Sequence, residues 1–153
     1  LLENVIQNRE FAKLMQQSIE NLILHFFAQE QNFGILCKIE EISFNPELPK
    51  EIDGEFRPLT LFFLAGYTFE TARIENEMLI FEAGFGSENF GSVVSVPLLS
   101  IMQIIVDETP VFINLAPVTA KESMEEREDI DKAGVENSMA SFLSNPENSK
   151  FLK

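Results

Sequence analysis

The apolar residues of this chain change their period once, at Gly34, and that change sets the order of the fold: helix first, sheet after. Before it, Phe11, Leu14, Met15, Ile19, Leu22, Ile23, Phe26 and Phe27 recur at spacings of three and four, which lays a wide apolar stripe along one side of a helix. The spacing predicts one helix over residues 5–30. Asn32 and Gly34 tolerate the left-handed conformation found at helix ends and are expected to stop it. Leu24 adds a second apolar side, so one flank can pack on a sheet while the other meets a second subunit. After Gly34 the period falls to two. Ile35, Cys37 and Ile39 alternate, then Ile42 and Phe44 alternate in the opposite phase across Glu40 and Glu41. One extra residue at that acidic pair would reverse the facing of every later residue in the strand, as a β-bulge does.

Residues 45–58 (NPELPKEIDGEFRP) hold three prolines and a glycine and read as a surface loop. Leu59–Tyr67 reads as a strand, buried on both faces or paired centrally, and 68–74 continue extended. A polar turn at Glu75–Glu77 leads into a strand over Met78–Phe85. Gly86–Ser92 is a glycine-bearing connection, and Val93–Val96 resumes the extended chain. The run over 97–106 (PLLSIMQIIV) has no diagnostic period and fits a short helix or a strand equally. Val111–Leu115 is the last strand. The pattern is α+β: an N-terminal helix packed on a small, curled, mostly antiparallel sheet or barrel, occupying 1–118. From Lys121 onward eight of 33 residues are acidic, and 119–153 read as an acidic tether carrying short helical or recognition segments.

Charge narrows the partners. The 153 residues include 25 acidic and 11 basic side chains, a net charge of −14, which repels nucleic-acid phosphates and anionic lipid heads. No apolar run approaches the roughly 18 to 20 residues that span a bilayer. A basic start and a small-residue cleavage site are both missing, and the single cysteine, Cys37, permits no internal disulfide. A cytoplasmic protein is expected.

The chemistry-bearing residues are sparse. Glu40–Glu41, Glu125–Glu126 and Glu128–Asp129 are adjacent carboxylates on charged stretches, whereas acid–base pairs need contrasting environments. His25, the only histidine, sits among Leu24, Phe26 and Phe27 and reads as a structural or interface histidine. Cys37 reads as a small buried hydrophobe. Gly84, Gly86 and Gly91 match no phosphate-cradling loop. No catalytic residue, metal or cofactor is expected. The unusual inventory is aromatic: 15 phenylalanines against one tyrosine and no tryptophan. Phe62, Phe63 and Phe81 suit a core. The surplus around AGFGSENFG suits a shallow apolar groove where an extended peptide docks along backbone edges.

The stretch from Met78 to Asp107 (MLIFEAGFGSENFGSVVSVPLLSIMQIIVD) resembles the signature region of the stringent starvation protein B family. Phe85-Gly86 matches a strand ending in Phe-Gly-Gly, with Ser87 in place of the second glycine. Val94-Ser95-Val96-Pro97 matches an apolar strand closing on proline, and Ile101–Ile105 the apolar segment after it. The helix, the Ile35–Phe44 strand, the proline-bearing loop and LTLFFL stand in the family's order, so the resemblance covers about residues 10–116. It implies an adaptor of the ClpXP protease that binds peptide degrons such as the ssrA tag. By position, Ala83, Gly84, Phe85 and Gly86 would border the peptide groove, with Val94 and Val96 beside it. Phe11, Met15, Ile19 and Leu22 would form a homodimer through the helix. Phe151, Leu152 and Lys153 would dock on the unfoldase ClpX. The alternative, resting on composition alone, is an acidic dimeric secretion or flagellar chaperone for partly unfolded clients.

Overall fold

A computed structural model describes residues 1–116. The acidic tether and its expected docking residues Phe151, Leu152 and Lys153 lie outside the described residues. Two compact units are distinguished: Lys13–Leu115, and Leu1–Ala12 with the residues from Ala116 on.

The expected single helix over 5–30 is two helices, α1 (Leu2–Ile6) and α2 (Arg9–Ala28). Asn8 separates them because its side chain competes for the backbone. Its Oδ1 accepts from the Glu10 N–H at 2.8 Å and the Phe11 N–H at 3.1 Å, the bonds of an N-cap. The other end stops earlier than Asn32 and Gly34 suggested. Glu30 takes the left-handed conformation at φ 53°, the Gln31 N–H donates to the Phe26 carbonyl at 2.9 Å, and the Glu30 N–H donates to Phe27. These bonds satisfy carbonyls that the last turn leaves open.

The unit Lys13–Leu115 contains eight strands: β1 (Phe33–Lys38), β2 (Ser43–Asn45), β3 (Leu59–Leu64), β4 (Arg73–Glu75), β5 (Met78–Phe85), β6 (Phe90–Pro97), β7 (Ile101–Val106) and β8 (Thr109–Ile113), with short helices α3 (Lys50–Asp53) and α4 (Gly66–Thr71) between them. They form two antiparallel four-stranded sheets, ordered β3-β1-β7-β8 and β2-β6-β5-β4. Neither sheet closes on itself, so two open sheets replace the one curled sheet or barrel. The chain passes between sheets four times, always through a helical turn: Ile39–Glu41, the loop carrying α3, α4, and Leu98–Ser100. Glu40 and Glu41 therefore sit in a 3₁₀ turn that changes sheets, where a bulge would have kept the strand in one sheet.

Two other expectations are corrected and one open choice is settled. β3 is an edge strand with one face outward, so Phe63 is exposed while Phe62 and Leu64 are buried. Residues 66–71 coil into α4 before β4 begins. The ambiguous run resolves at its proline: Pro97 ends β6, Leu98–Ser100 turns, and Ile101–Val106 is strand. Two hairpins close on two-residue turns, Asn76-Glu77 and Asp107-Glu108, all four residues at positive φ, the handedness that matches strand twist.

One core joins both sheets to α2. Ile19 and Ile23 of the helix pack with Phe33, Ile35 and Cys37 of β1, Phe62 and Leu64 of β3, Leu79 and Phe81 of β5, Val94 and Val96 of β6, and Ile101 and Ile104 of β7. Each large apolar side chain so buried contributes about 1.5–3 kcal/mol. The inner edge is aromatic. Phe85 meets Phe44 at 5.6 Å, Phe56 at 5.9 Å and Phe62 at 6.3 Å, all ring edge to ring face. Among the described residues no helix is long and apolar enough to cross a membrane.

Candidate functional site

Strand alternation sends the even residues of β5 outward and the odd ones into the core. Leu79 and Phe81 are buried, while Glu82 and Gly84 face away, opposite Val93 and Gly91 of β6. Beyond β6, Asn45 of β2 pairs with Val93 on the same outer face. A groove of about 760 Å³ runs over this face, from Asn45 and Pro46 across Val93, Gly91, Glu82 and Gly84 to Tyr67 and Thr68 of α4.

Its floor is low because Gly84 and Gly91 lie side by side. A Cβ on Gly91 would meet nothing within 4 Å, whereas a Cβ on Gly84 would land on the Asn89 carboxamide. Gly84 is glycine because Asn89 lies over it. That places an amide, with both a donor and an acceptor, on the groove floor.

The edge of β5 is paired along only part of its length. β4 pairs with Met78–Ile80. At Glu82 the partner is a side chain: the backbone N–H donates to Thr71 Oγ1 at 2.9 Å, and that hydroxyl donates to the Thr68 carbonyl. Alternation points the backbone N–H and C=O of Gly84 to the same side, one step beyond. Among the described residues nothing pairs with them there. This is a short stretch of open strand edge bordering a groove.

The walls are polar. Ser92, which is buried, donates its hydroxyl to the Pro46 carbonyl at 2.9 Å and pins the loop after β2 against β6. The Tyr67 hydroxyl donates to Glu82 Oε1 at 3.2 Å. That bond, and then the charge of Glu82, hold the phenol above its ordinary pKa of 10.0, because ionisation would lose the donor and set two anions together.

The expected peptide-binding residues divide. Ala83 and Gly84 line the groove. Phe85 does not: its ring is committed to the aromatic contacts with Phe44, Phe56 and Phe62. Gly86 is at φ 75°, in the turn after β5, and its neighbour is Ile52. Val94 and Val96 are fully buried in the core. The motif falls one residue off the exposed face of β6, and alternation gives the groove Val93. Of the helix residues, Ile19 is fully buried and so closed to a second copy, whereas Leu22, which packs on the core, and Phe11 and Met15 are half-buried. The exposed apolar residues of α2 are Leu14 and Leu24.

Asn45, Thr68, Tyr67, Glu82 and Asn89 were missed. The alternation of Met78–Phe85 contained the signal for Glu82, since it shares a face with Gly84. Asn45 and Tyr67 come from distant segments that only the sheet order brings together. Elsewhere, His25 is exposed on α2. Cys37 is buried, and burial pushes its thiol up to about 12. Among the described residues no group of three or more His, Cys, Asp or Glu side chains is placed to hold a metal ion. No family model, curated protein or solved structure matches this chain.

Proposed function

We propose that this protein is a non-enzymatic adaptor that grips an extended, ssrA-like peptide tag in the groove over β5 and β6 and delivers the tagged protein to the ClpXP protease in the cytoplasm, working as a homodimer. The observation that carries the reading is the open edge of β5 at Gly84, on the floor of a 760 Å³ groove. A strand edge offers backbone hydrogen bonds with little demand on the side chains of the partner. The Asn89 amide, the Asn45 side chain and the Tyr67–Glu82 pair add polar contacts at fixed positions, and Val93 adds an apolar one. The order of strand, turn, strand and proline from Met78 to Pro97, shared with the stringent starvation protein B family, supplies the kind of partner. A dimer bearing two tethers would engage a ring-shaped unfoldase with raised effective concentration.

Fluorescence anisotropy with a labelled ssrA-like peptide tests the reading. Saturable binding, competed by unlabelled peptide and followed by faster ClpXP turnover of a tagged substrate, is expected. Absence of saturable binding up to millimolar peptide would sink it.

A further inference from the structure

The other sheet presents a different surface. Leu59, Leu61 and Phe63 of β3 point outward, 49%, 40% and 67% exposed. Behind them on β1 the outward positions are Lys38, Leu36 and Gly34, paired with those three residues in that order. Gly34 lacks a side chain, and a Cβ there would lie 3.4 Å from the Phe63 ring. Beside it is a depression of about 230 Å³ whose wall includes Phe63, Ile105, Asp107 and Glu108. Across β3 and β1 the face is thus apolar through its middle, with Gln103 of β7 beside Leu36, a lysine at one end and a hollow rimmed by two carboxylates at the other.

We propose that this face is the contact between two copies of the chain, packed sheet on sheet about a two-fold axis through Leu36. The inference rests on the reading that the protein works as a homodimer, and it places the contact on β3 and β1 instead of on α2, whose Ile19 and Leu22 serve the chain's own core. The arrangement of charge selects a second copy as the occupant. A two-fold contact must be complementary to itself when reversed. Lys38 and Gly34 lie equally far from Leu36 on opposite sides, about 7 Å each at strand rise. An axis there lays Lys38 of one copy over the hollow beside Gly34 of the other, facing Asp107 and Glu108. The contact is made twice by symmetry. Over most of its surface a chain of net charge −14 repels its own kind. On this face the central positions carry no acid, and the lysine at one end meets the two acids at the other. The lysine stem covers apolar surface while its ammonium reaches the carboxylates.

Sedimentation equilibrium on the full chain tests this, with circular dichroism to confirm folding of each variant. Wild type is expected to be a dimer, and Phe63→Glu, at an already exposed position, a folded monomer. Lys38→Glu should weaken dimerisation at least about tenfold, since like charges then meet twice. Glu108→Lys added to Lys38→Glu should restore it, which a merely apolar contact would not do. A monomeric wild type at every concentration overturns the inference. So does a dimer that survives Phe63→Glu and is broken instead by Leu14→Glu on α2. The peptide assay separates the two readings: a monomer that binds peptide sinks the sheet contact alone, and a dimer broken by Phe63→Glu that binds no peptide sinks the adaptor alone.

Discussion

The two sheets share one core and turn unlike faces outward. On the sheet containing β3 the outward row is Leu59, Leu61 and Phe63, with Ile113 exposed on β8. On the sheet containing β5 it runs Met78, Ile80, Glu82 and Gly84, beside Gly91 and Val93, with Arg73 and Asn45 on the flanking strands, and it turns polar toward the Gly84 end. Inside, the same alternation delivers equivalent side chains from both, Phe62 and Leu64 from one and Leu79 and Phe81 from the other. Burial alone does not tell the sheets apart. What separates them is how the outward row continues, apolar along Leu59, Leu61 and Phe63 of β3 but passing to Glu82 and Gly84 after Phe81 on β5, so that one face stays dry and the other can hydrogen-bond a backbone. Glycine does most at the second face: two facing glycines and a side chain folded over one of them make a trough out of a pleated surface.

The largest expected effect comes from breaking what the sheets share. Phe81 is fully buried, and its ring meets Phe62 of the other sheet at 5.8 Å. Phe81→Ala should cost about 3–5 kcal/mol, from lost transfer energy and the cavity left behind. Urea denaturation followed by circular dichroism measures it. Peptide binding and dimerisation should fail together, because both faces are backed by this contact. A loss under about 1 kcal/mol, far below the range for a buried aromatic, would mean the sheets are not joined at this point.

How far the sequence reached can be judged on the same two faces. Buried positions were legible where they follow period: Ile35 and Cys37, and the helix stripe through Ile19 and Ile23. The division into two sheets was not. Helical turns of three to six residues make the crossings, and a run such as Ile39–Glu41 is too short to show a period of its own. The edge position of β3 was also hidden, since LTLFFL reads as apolar on both sides and only the strand order shows that nothing flanks it. The groove lies over the hairpin to which the resemblance points. The resemblance named Phe85, Val94 and Val96 because a motif marks residues in a line, whereas the groove lies along one face of the strands. Counting alternation outward from buried Phe81 would have replaced them with Glu82, Gly84 and Val93.

The next effect probes the dry side of the first sheet. Cys37 Sγ lies 3.6 Å from the Thr60 carbonyl oxygen within the core. Its thiol ionises near 9.0 when unfolded and at about 12 when folded. Between those values the unfolded state holds fewer protons than the native one, so stability falls as pH rises, with up to about 1.4 kcal/mol lost per pH unit, and the full contribution is present below the unfolded value of 9.0. Urea titrations of wild type and Cys37→Ala at about pH 8 and about pH 10.5, on either side of that unfolded value, should show an extra alkaline loss in wild type alone. Parallel curves would show that the thiol is wet and the interior of this sheet open.

On the second sheet the matching test fills the trough. Gly84→Val puts a side chain where the Asn89 carboxamide now lies. Asn89 ends a flexible side chain in a turn, so it swings aside at small cost in stability and both groups then occupy the groove. Peptide affinity should fall at least about tenfold, about 1.4 kcal/mol, with the melting temperature nearly unchanged. The Phe85→Ala variant should do the reverse, lowering stability through the aromatic contacts before it touches binding. If Phe85→Ala weakens binding at full stability while Gly84→Val does not, the peptide lies along the aromatic side and the two faces of β5 have exchanged roles.

The smallest effect sharpens the comparison most, because it concerns a single hydroxyl. Tyr67 is the only tyrosine in the chain, and its ring is exposed. A Tyr67→Phe change removes only the bond to Glu82, so stability should be nearly unchanged, as for surface substitutions generally. Binding should respond more, and in a direction that reports what the groove accepts. With the hydroxyl gone, Glu82 loses a donor at one oxygen and becomes freer to accept from a peptide N–H. If the pair serves to aim Glu82 at the open edge beside Gly84, affinity falls a few-fold and peptide dissociation quickens. If the hydroxyl competes with the peptide for the same carboxylate, affinity rises. The phenol also titrates above its ordinary value while the bond to Glu82 holds; peptide taking over that carboxylate would lower its pKa. Ultraviolet titration of the tyrosinate, with and without peptide, reads the outcome directly, and an unmoved titration would place the bound chain away from Glu82.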